Sequence, residues 1–149
     1  MILRHLLPIA LLAVHFTACA TGFRIATFQS DATPPVGSPL CGSAENTAKD
    51  VTDPLTARGI VFVPEGQKPI ILCAVDWVGI GNDGHRTWRE ALAKAADTDA
   101  SRVSVHVLHQ HDAPMCEFST EALLDTVGLG GATMNVAFAH EAIAHAAEA

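Results

Sequence analysis

The chain has 149 residues, a formal net charge of −7 and 17% charged residues, with 49% hydrophobic residues. This length suits one domain with its own core, or a piece of one, and it is short for a complete α/β enzyme. The acidic balance argues against nucleic acid as a partner, because DNA and RNA are bound by basic surfaces.

The first twenty residues have the pattern of a secretory signal peptide. Arg4 is their only Lys or Arg, Leu6 to Phe16 is nearly all apolar, and Ala18-Cys19-Ala20 provides small residues for cleavage. The apolar run is about half of the ~20 residues that span a bilayer, so a retained transmembrane helix is the weaker interpretation. We expect a secreted or periplasmic protein whose domain covers residues 21–149. The alternative is a lipid anchor on Cys19, because residues 16–19 loosely resemble a bacterial lipobox.

Three strands are predicted in the first half of the domain. They are Phe23–Ser30, Leu55–Val63 and Pro69–Val75. Between the first two, Asp31 to Gly37 contains two prolines and a glycine and is expected to form a rigid turn or loop. The polar stretch Ser43 to Asp53 has no periodicity, so we expect an exposed, mobile loop.

An acidic residue follows the third strand directly. Pro69–Val75 is continuously apolar, as is typical of a strand covered on both faces, and the next residue is Asp76. Ligand sites in open α/β sheets lie beyond the carboxyl ends of strands, so Asp76 is a candidate catalytic carboxylate. A helix cap or a loop hydrogen bond is an equally good interpretation.

An amphipathic helix is predicted at Thr87–Ala96, with Trp88, Leu92 and Ala95 facing inward and Thr87 as its cap. A strand precedes this helix and another follows it, which indicates a crossover between two parallel strands. The predicted fold class is therefore α/β, with a mixed, partly parallel sheet and a crossover helix. Two further helices are expected at Thr120–Val127 and Met134–Ala149.

The strand after the crossover ends in a cluster of ionisable side chains. Val103, Val105 and Val107 alternate along it, and His109, His111 and Asp112 follow before Pro114 ends the pairing. Two residues apart in an extended chain, His109 and His111 would project from one face, where one metal ion could meet one or both. Asp112 would then orient a ligand or accept a proton. The alternative is a solvated or hydrogen-bonded pair of histidines.

Other histidines and the cysteines are weaker candidates. His140 and His145 resemble a zincin motif, but they are five residues apart instead of four and would point about 140° apart on a helix. After export the cysteines are Cys41, Cys73 and Cys116, of which Cys73 lies in an apolar run and is expected to be buried. Cys41 and Cys116 lie in predicted loops and could form one disulfide.

Four segments, in order, resemble the neutral/alkaline ceramidases. The turn Asp31-Ala-Thr-Pro-Pro-Val-Gly resembles the family's D-I-T-P-P-x-G, and Asp53–Phe62 resembles the strand that follows it. Ile70–Ile80 is similar to the V-S-x-D-x-x-G segment, and Val105–Pro114 to the T-H-T-H-S-G-P motif. The resemblance implies a secreted zinc amidohydrolase that cleaves the amide of N-acylsphingosines. Its partners would be a lipid or small amide substrate and a membrane surface. The first histidine of the motif is a zinc ligand, which implies His109, with His111 in the second active-site position.

The sequence also departs from this family. Asp112 places a carboxylate where the family has a hydroxyl, so the substrate and even the reaction could differ. The family completes its zinc site with a downstream histidine, glutamate and tyrosine, whereas this chain has 0 tyrosines and ends at Ala149. We therefore expect an incomplete part of a larger domain, either a fragment of a longer protein or a reduced relative of the family. His85 is the best available third ligand. The competing hypothesis is an exported α/β binding or structural domain without catalysis.

Overall fold

The computed structural model describes residues 22–149. The predicted signal peptide and Cys19 lie outside the described residues. Within 22–149, no helix combines the length and the apolar character needed to cross a membrane.

The described residues form eight β-strands and three α-helices. The strands are β1 (Phe23–Asp31), β2 (Pro39–Leu40), β3 (Ser43–Thr47), β4 (Thr56–Pro64), β5 (Ile70–Val75), β6 (Gly79–Ile80), β7 (Val103–Val107) and β8 (Met115–Cys116). The helices are α1 (Asn82–Ala95), α2 (Phe118–Asp125) and α3 (Val136–Glu148). A 3-10 turn at Ala100–Arg102 leads into β7.

The main sheet has the order β1-β4-β5-β7. The pairs β1–β4 and β4–β5 are antiparallel, while β5 and β7 are parallel and are joined through α1. The prediction of an α/β fold with a mixed, partly parallel sheet and a crossover helix is therefore confirmed. Two small two-stranded sheets, β2–β3 and β6–β8, flank it.

The core lies on one face of the main sheet. Ile71, Cys73 and Val75 of β5 are buried there together with Val103 and Val105 of β7. Helix α1 covers this face with Trp88 and Leu92, and α3 with Ala139, Ala142, Ile143 and Ala146. Since all these residues belong to one buried cluster, the two helices and the sheet form a single two-layer core.

The opposite face of the sheet is exposed, which corrects the expectation that Pro69–Val75 is covered on both faces. Ile70 is 37% exposed and Leu72 is 42% exposed, although both are as apolar as their buried neighbours. Strand register places them beside apolar residues of β1 and β4. We call this surface the open sheet face; its apolar residues are Phe23, Ile25, Ile60, Phe62, Ile70 and Leu72.

Helix α1 begins at Asn82, five residues before the predicted start. Thr87 is not its cap but lies inside it, where its Oγ1 donates a hydrogen bond to the carbonyl of Asp83 at 2.7 Å. Gly84 lies inside the helix, where it packs closely against β8. A Cβ there would lie 2.4 Å from the carbonyl oxygen of Cys116. Ala95 is exposed, and Ala93 takes the inward position instead.

The polar stretch after β2 is also more ordered than predicted. Residues Ser43–Thr47 form β3 and pair with β2, and the backbone of Ala48 hydrogen-bonds to Gly37 and Ser38. The sequence of β3 does not alternate between apolar and polar residues because neither face of the strand is buried in its middle. Helices α2 and α3 are present close to their predicted positions.

The three cysteines of the described residues are free. Cys116 lies in β8 and is fully buried, so the expectation that it lies in a loop and pairs with Cys41 is wrong for this structure. Burial raises the pKa of Cys73 and that of Cys116 to about 12 each. Both thiols are therefore protonated and unreactive at neutral pH.

Candidate functional site

The candidate site lies where β5 and β7 end side by side. After β7, the backbone N–H of Leu108 donates to Val75 O and that of His109 donates to Trp77 O, both at 3.1 Å. The segment from Leu108 to Pro114 therefore runs along the residues that follow β5. Val78 N–H closes the far end by donating to Pro114 O at 3.1 Å. Long-range backbone bonds thus hold this segment against the sheet.

His109 is held by its backbone and by its ring. Its φ of 59° lies in the left-handed region, which is uncommon for a residue other than glycine and is concentrated at functional sites. Its Nδ1 lies 2.6 Å from the carbonyl oxygen of Val78. Because a carbonyl only accepts, Nδ1 must carry a proton, so in the neutral ring Nε2 is the nitrogen with the free lone pair. This is the tautomer that a metal-ligating histidine has when its other nitrogen donates to the backbone.

The His111 ring lies against the His109 ring. The centroids are 5.2 Å apart and the planes are at 87°. Two imidazoles that share one tetrahedral zinc, with Zn–N bonds of about 2.0–2.1 Å, have centroids about 5 Å apart. The extended backbone that was expected to bring these rings together is absent, because His109 has a positive φ. The turn of the backbone at His109 brings the two rings together instead.

Asp76 ties two strands together. Its Oδ2 accepts hydrogen bonds from the backbone N–H and the hydroxyl of Thr56, each at 2.8 Å. Its own N–H donates to Thr56 O at 3.0 Å. The loop hydrogen bond expected in one interpretation of Asp76 is present, and the catalytic interpretation stays a prediction.

Gln110 is a site residue that the sequence interpretation missed. Its Nε2 donates to the backbone carbonyl of Asp76 at 3.0 Å, so the residue between the two histidines anchors their segment to the end of β5. Val78 was missed as well. It contributes only a carbonyl, which every residue has, so no sequence signal could have identified it.

Asp112 points to a different part of the site from the histidines. It lines a cavity of about 520 Å³ with Gln110, Lys49, Asp50 and Asp53, among others, and neither His109 nor His111 lines that cavity. The Gln110 and Asp112 side chains therefore share one cavity, and the two histidine rings lie outside it. Asp112 is therefore near the histidines in sequence but is not grouped with them around one ion.

The remaining histidines have separate places. His85 lies in the first turn of α1, where its N–H donates to Gly81 O at 3.0 Å, and not in a loop. His106 is exposed on β7, opposite the buried side chain of Val105. His140 stacks on Phe118 with ring centroids 4.3 Å apart, and His145 lies 4.0 Å from Glu141. Across residues 22–149, no group of three or more His, Cys, Asp or Glu side chains is arranged to hold a metal ion.

The comparisons with known proteins give limited information. No family model matches the sequence, and no curated protein matches it at a significant level. A crystal structure of the neutral ceramidase from Pseudomonas aeruginosa resembles part of the chain, with 16% sequence identity and a TM-score of 0.48. The match covers 61% of this chain and 15% of that chain. It is a weak structural resemblance, and the chain spans only a small part of that enzyme.

Proposed function

We propose that this chain is part of an exported zinc-dependent amide hydrolase, with His109 and His111 as two of the zinc ligands. The observation that carries the proposal is the 2.6 Å contact between His109 Nδ1 and Val78 O, which leaves Nε2 of an exposed ring available to a metal. Imidazole nitrogen is a preferred ligand of zinc. The adjacent His111 ring lies at the spacing that a shared ion requires.

The motif resemblance to neutral ceramidases supports the substrate class, an amide of the N-acylsphingosine type. Zinc supplies a Lewis acid that polarises the amide carbonyl and activates a water molecule. The chain's own residues orient the site. Val78 O fixes the His109 ring, and Gln110 holds the segment on Asp76. Asp112 lines the neighbouring cavity and would accept a proton only from a group bound in that cavity. Asp76 has a positioning role.

The described residues supply only part of the ligand set that a hydrolytic zinc site would need. A catalytic zinc has three protein ligands and one open position, and the described residues bring two histidines together. The other ligands would come from a further part of the protein. We therefore expect no efficient amide hydrolysis by the chain alone, even when it binds zinc.

A non-catalytic exported domain is the second candidate. It is favoured by the carboxylate of Asp76, which hydrogen-bonds to Thr56 and holds the fold together. In that case the histidines would bind no metal, and metal content separates the two functions.

Zinc binding by three single variants tests the proposal. His109→Ala removes the ring. His109→Asn removes Nε2 but keeps an N–H donor for Val78 O, and asparagine tolerates a positive φ. His106→Ala is the control, since His106 is exposed on β7, three residues before His109. Equilibrium dialysis should show one zinc per wild-type chain. Both His109 variants should bind zinc at least tenfold more weakly, a loss of about 1.4 kcal/mol, and His106→Ala should bind it as the wild type does.

Two results would count against this assignment. One is no zinc binding by the wild-type chain, and the other is a loss of zinc affinity in His106→Ala as large as that in His109→Asn. Assay with a fluorescent N-acylsphingosine and added zinc should give no turnover. Turnover that both a chelator and His109→Ala abolish would show that the chain holds a complete site, with His85 the next residue to change.

A further inference from the structure

A cavity lies beside the two histidines and has no part in metal binding. Its volume is about 520 Å³, and small-molecule sites have volumes of about 300–1,000 Å³. Gln110 and Asp112 line it, and His111 lies between these two residues in the chain. A molecule bound in the cavity would therefore lie next to the paired rings of His109 and His111.

Hydrogen bonds fix two walls of this cavity. Thr33 Oγ1 accepts from the N–H of Leu55 at 2.9 Å, and both residues line the cavity. Ala48 lines it as well, and its N–H donates to Ser38 O at 2.9 Å while its carbonyl accepts from Gly37 N–H at 2.7 Å. The cavity therefore has a defined shape before any ligand binds.

A third wall carries the carboxamide of Gln110 in a fixed orientation. The side-chain atom that lies 3.0 Å from Asp76 O must be the nitrogen, because a carbonyl only accepts. Oε1 of Gln110 is then left as an acceptor, and among residues 22–149 it has no hydrogen-bond partner. A ligand in the cavity can thus bond to this oxygen without competing with the protein.

The charged side chains of the cavity are mostly acceptors. Asp50, Asp53 and Asp112 carry carboxylates, which only accept hydrogen bonds when ionised, and Lys49 is the one Lys or Arg that lines the cavity. Within residues 22–149 these four side chains take part in no ion pair with one another or with other residues. The cavity therefore favours a ligand that presents hydrogen-bond donors, and it disfavours a carboxylate.

This preference distinguishes the two halves of an amide substrate. Hydrolysis releases the acyl half as a carboxylate, which presents no hydrogen-bond donor at neutral pH. It releases the other half as an amine, which can also carry hydroxyl groups. A cavity whose charged side chains are mostly acceptors therefore matches the amine half.

We infer that this cavity binds the amine half of the substrate as a hydroxylated head group, with Gln110 Oε1 and the Asp112 carboxylate accepting hydrogen bonds from its hydroxyls. The inference rests on the proposed function for the reaction itself. Neither residue type occupies the corresponding position of the T-H-T-H-S-G-P motif. Gln110 and Asp112 thus select the substrate in this chain, while His109 and His111 bind the metal.

The affinities of two small amines, measured without zinc, test the inference. Serinol is a three-carbon amine with two hydroxyl groups, and isopropylamine has the same skeleton and charge without the hydroxyls. Saturation-transfer difference NMR measures both with residues 21–149, because the method detects weak binding at low protein concentration. The wild-type chain should bind serinol about tenfold more tightly than isopropylamine, since only serinol offers hydroxyl donors. Acetate, which represents the acyl half, should not bind.

Two substitutions should reduce this discrimination. Gln110→Met keeps the length of the side chain but lacks the carboxamide, and Asp112→Ala removes a carboxylate at an exposed position. Each should lower the ratio of serinol affinity to isopropylamine affinity by about threefold or more, as the loss of one hydrogen bond does. A purely structural role would lower both affinities and leave their ratio unchanged. Gln67→Met is the matched control, because Gln67 is exposed between β4 and β5, at the other end of β5 from Asp76.

Four results would overturn the inference. They are no serinol binding by the wild-type chain, equal affinity for the two amines, acetate binding as tight as that of serinol, and an affinity ratio that both substitutions leave unchanged. Circular dichroism checks the fold of each variant, and the exposed Asp112→Ala keeps the test valid if Gln110→Met does not fold.

The cavity and the zinc site can fail separately. The amine assay contains no zinc, so His109→Ala should bind serinol as the wild type does. Discrimination between the amines in a chain that binds no zinc would refute the metal site alone. Zinc binding without that discrimination would refute the role of the cavity alone.

Discussion

Asp76 is the residue at which sequence and geometry assign different roles. It follows a buried strand at the edge where ligand sites form, yet its carboxylate receives two hydrogen bonds from Thr56. These bonds join the end of β5 to the start of β4. A charged acceptor that receives two donors at 2.8 Å contributes through the fold.

Replacement of Asp76 by alanine should lower the free energy of unfolding by about 1.5–3 kcal/mol, because the amide and hydroxyl of Thr56 lose a charged acceptor. Asp112→Ala is the control, since this carboxylate is exposed. Urea unfolding measures both. Equal and small effects of the two substitutions would show that the Asp76–Thr56 contact is not a stabilising one. The effects of Asp76→Ala and Thr56→Ala should also be non-additive.

The residue that caps helix α2 is ionisable, so its contribution to stability should depend on pH. Glu117 is its N-cap, and its carboxylate accepts from the N–H groups of Ser119 and Thr120 at 3.2 and 2.8 Å and from both hydroxyls. Partial burial raises the pKa of Glu117, but the hydrogen bonds from Thr120 and Ser119 outweigh it and bring the pKa from 4.5 to about 2. The charged form is therefore the one that the folded state favours.

The stabilisation by Glu117 should be complete above pH 4.5, the unfolded-state pKa, and should disappear as the pH falls toward 2. Glu117→Gln should cost about 1 kcal/mol at pH 7, as loss of a cap does, and almost nothing near pH 2. Thermal unfolding from pH 2 to 7 measures this difference, with the exposed Glu45→Gln as control. A cost that stays constant with pH would mean that the charge of Glu117 plays no part.

Within residues 22–149, one face of the main sheet is covered by helices and the other is exposed. Helices α1 and α3 bury the first, while the open sheet face carries six apolar residues that include a stacked pair, Phe23 and Phe62, with centroids 5.9 Å apart. Apolar patches of this kind drive association. The isolated chain should therefore be poorly soluble.

Ile60→Thr with Leu72→Thr should make the chain more soluble and more monomeric, because both side chains are exposed on the open sheet face. Threonine is polar and is a residue that strands favour. Sedimentation velocity at matched concentrations compares this variant with wild type. The double substitution Val127→Ser and Leu129→Ser is the control, since it removes apolar side chains elsewhere. A wild-type chain that is monomeric and melts sharply would argue that the open sheet face needs no further layer.

The sequence by itself determined the main strands, the crossover helix and the parallel pair. These elements follow from local periodicity. Val103, Val105 and Val107 alternate because one face of β7 is buried. Trp88 and Leu92 recur at helical spacing because one side of α1 packs on the sheet. Sequence also singled out His109 and His111, because histidine is rare enough for a cluster to be noticed.

The packing of these elements, and the contacts that hold the candidate site, depend on residues that are distant in the sequence. Ile70 and Leu72 are as apolar as Ile71 and Cys73, so hydropathy could not tell a strand covered on one face from a strand covered on both. The start of α1 depended on the contact of Gly84 with β8, and the tautomer of His109 on a carbonyl 31 residues away in the chain. Such contacts join backbone groups that every residue carries, and only the folded arrangement specifies which of them meet.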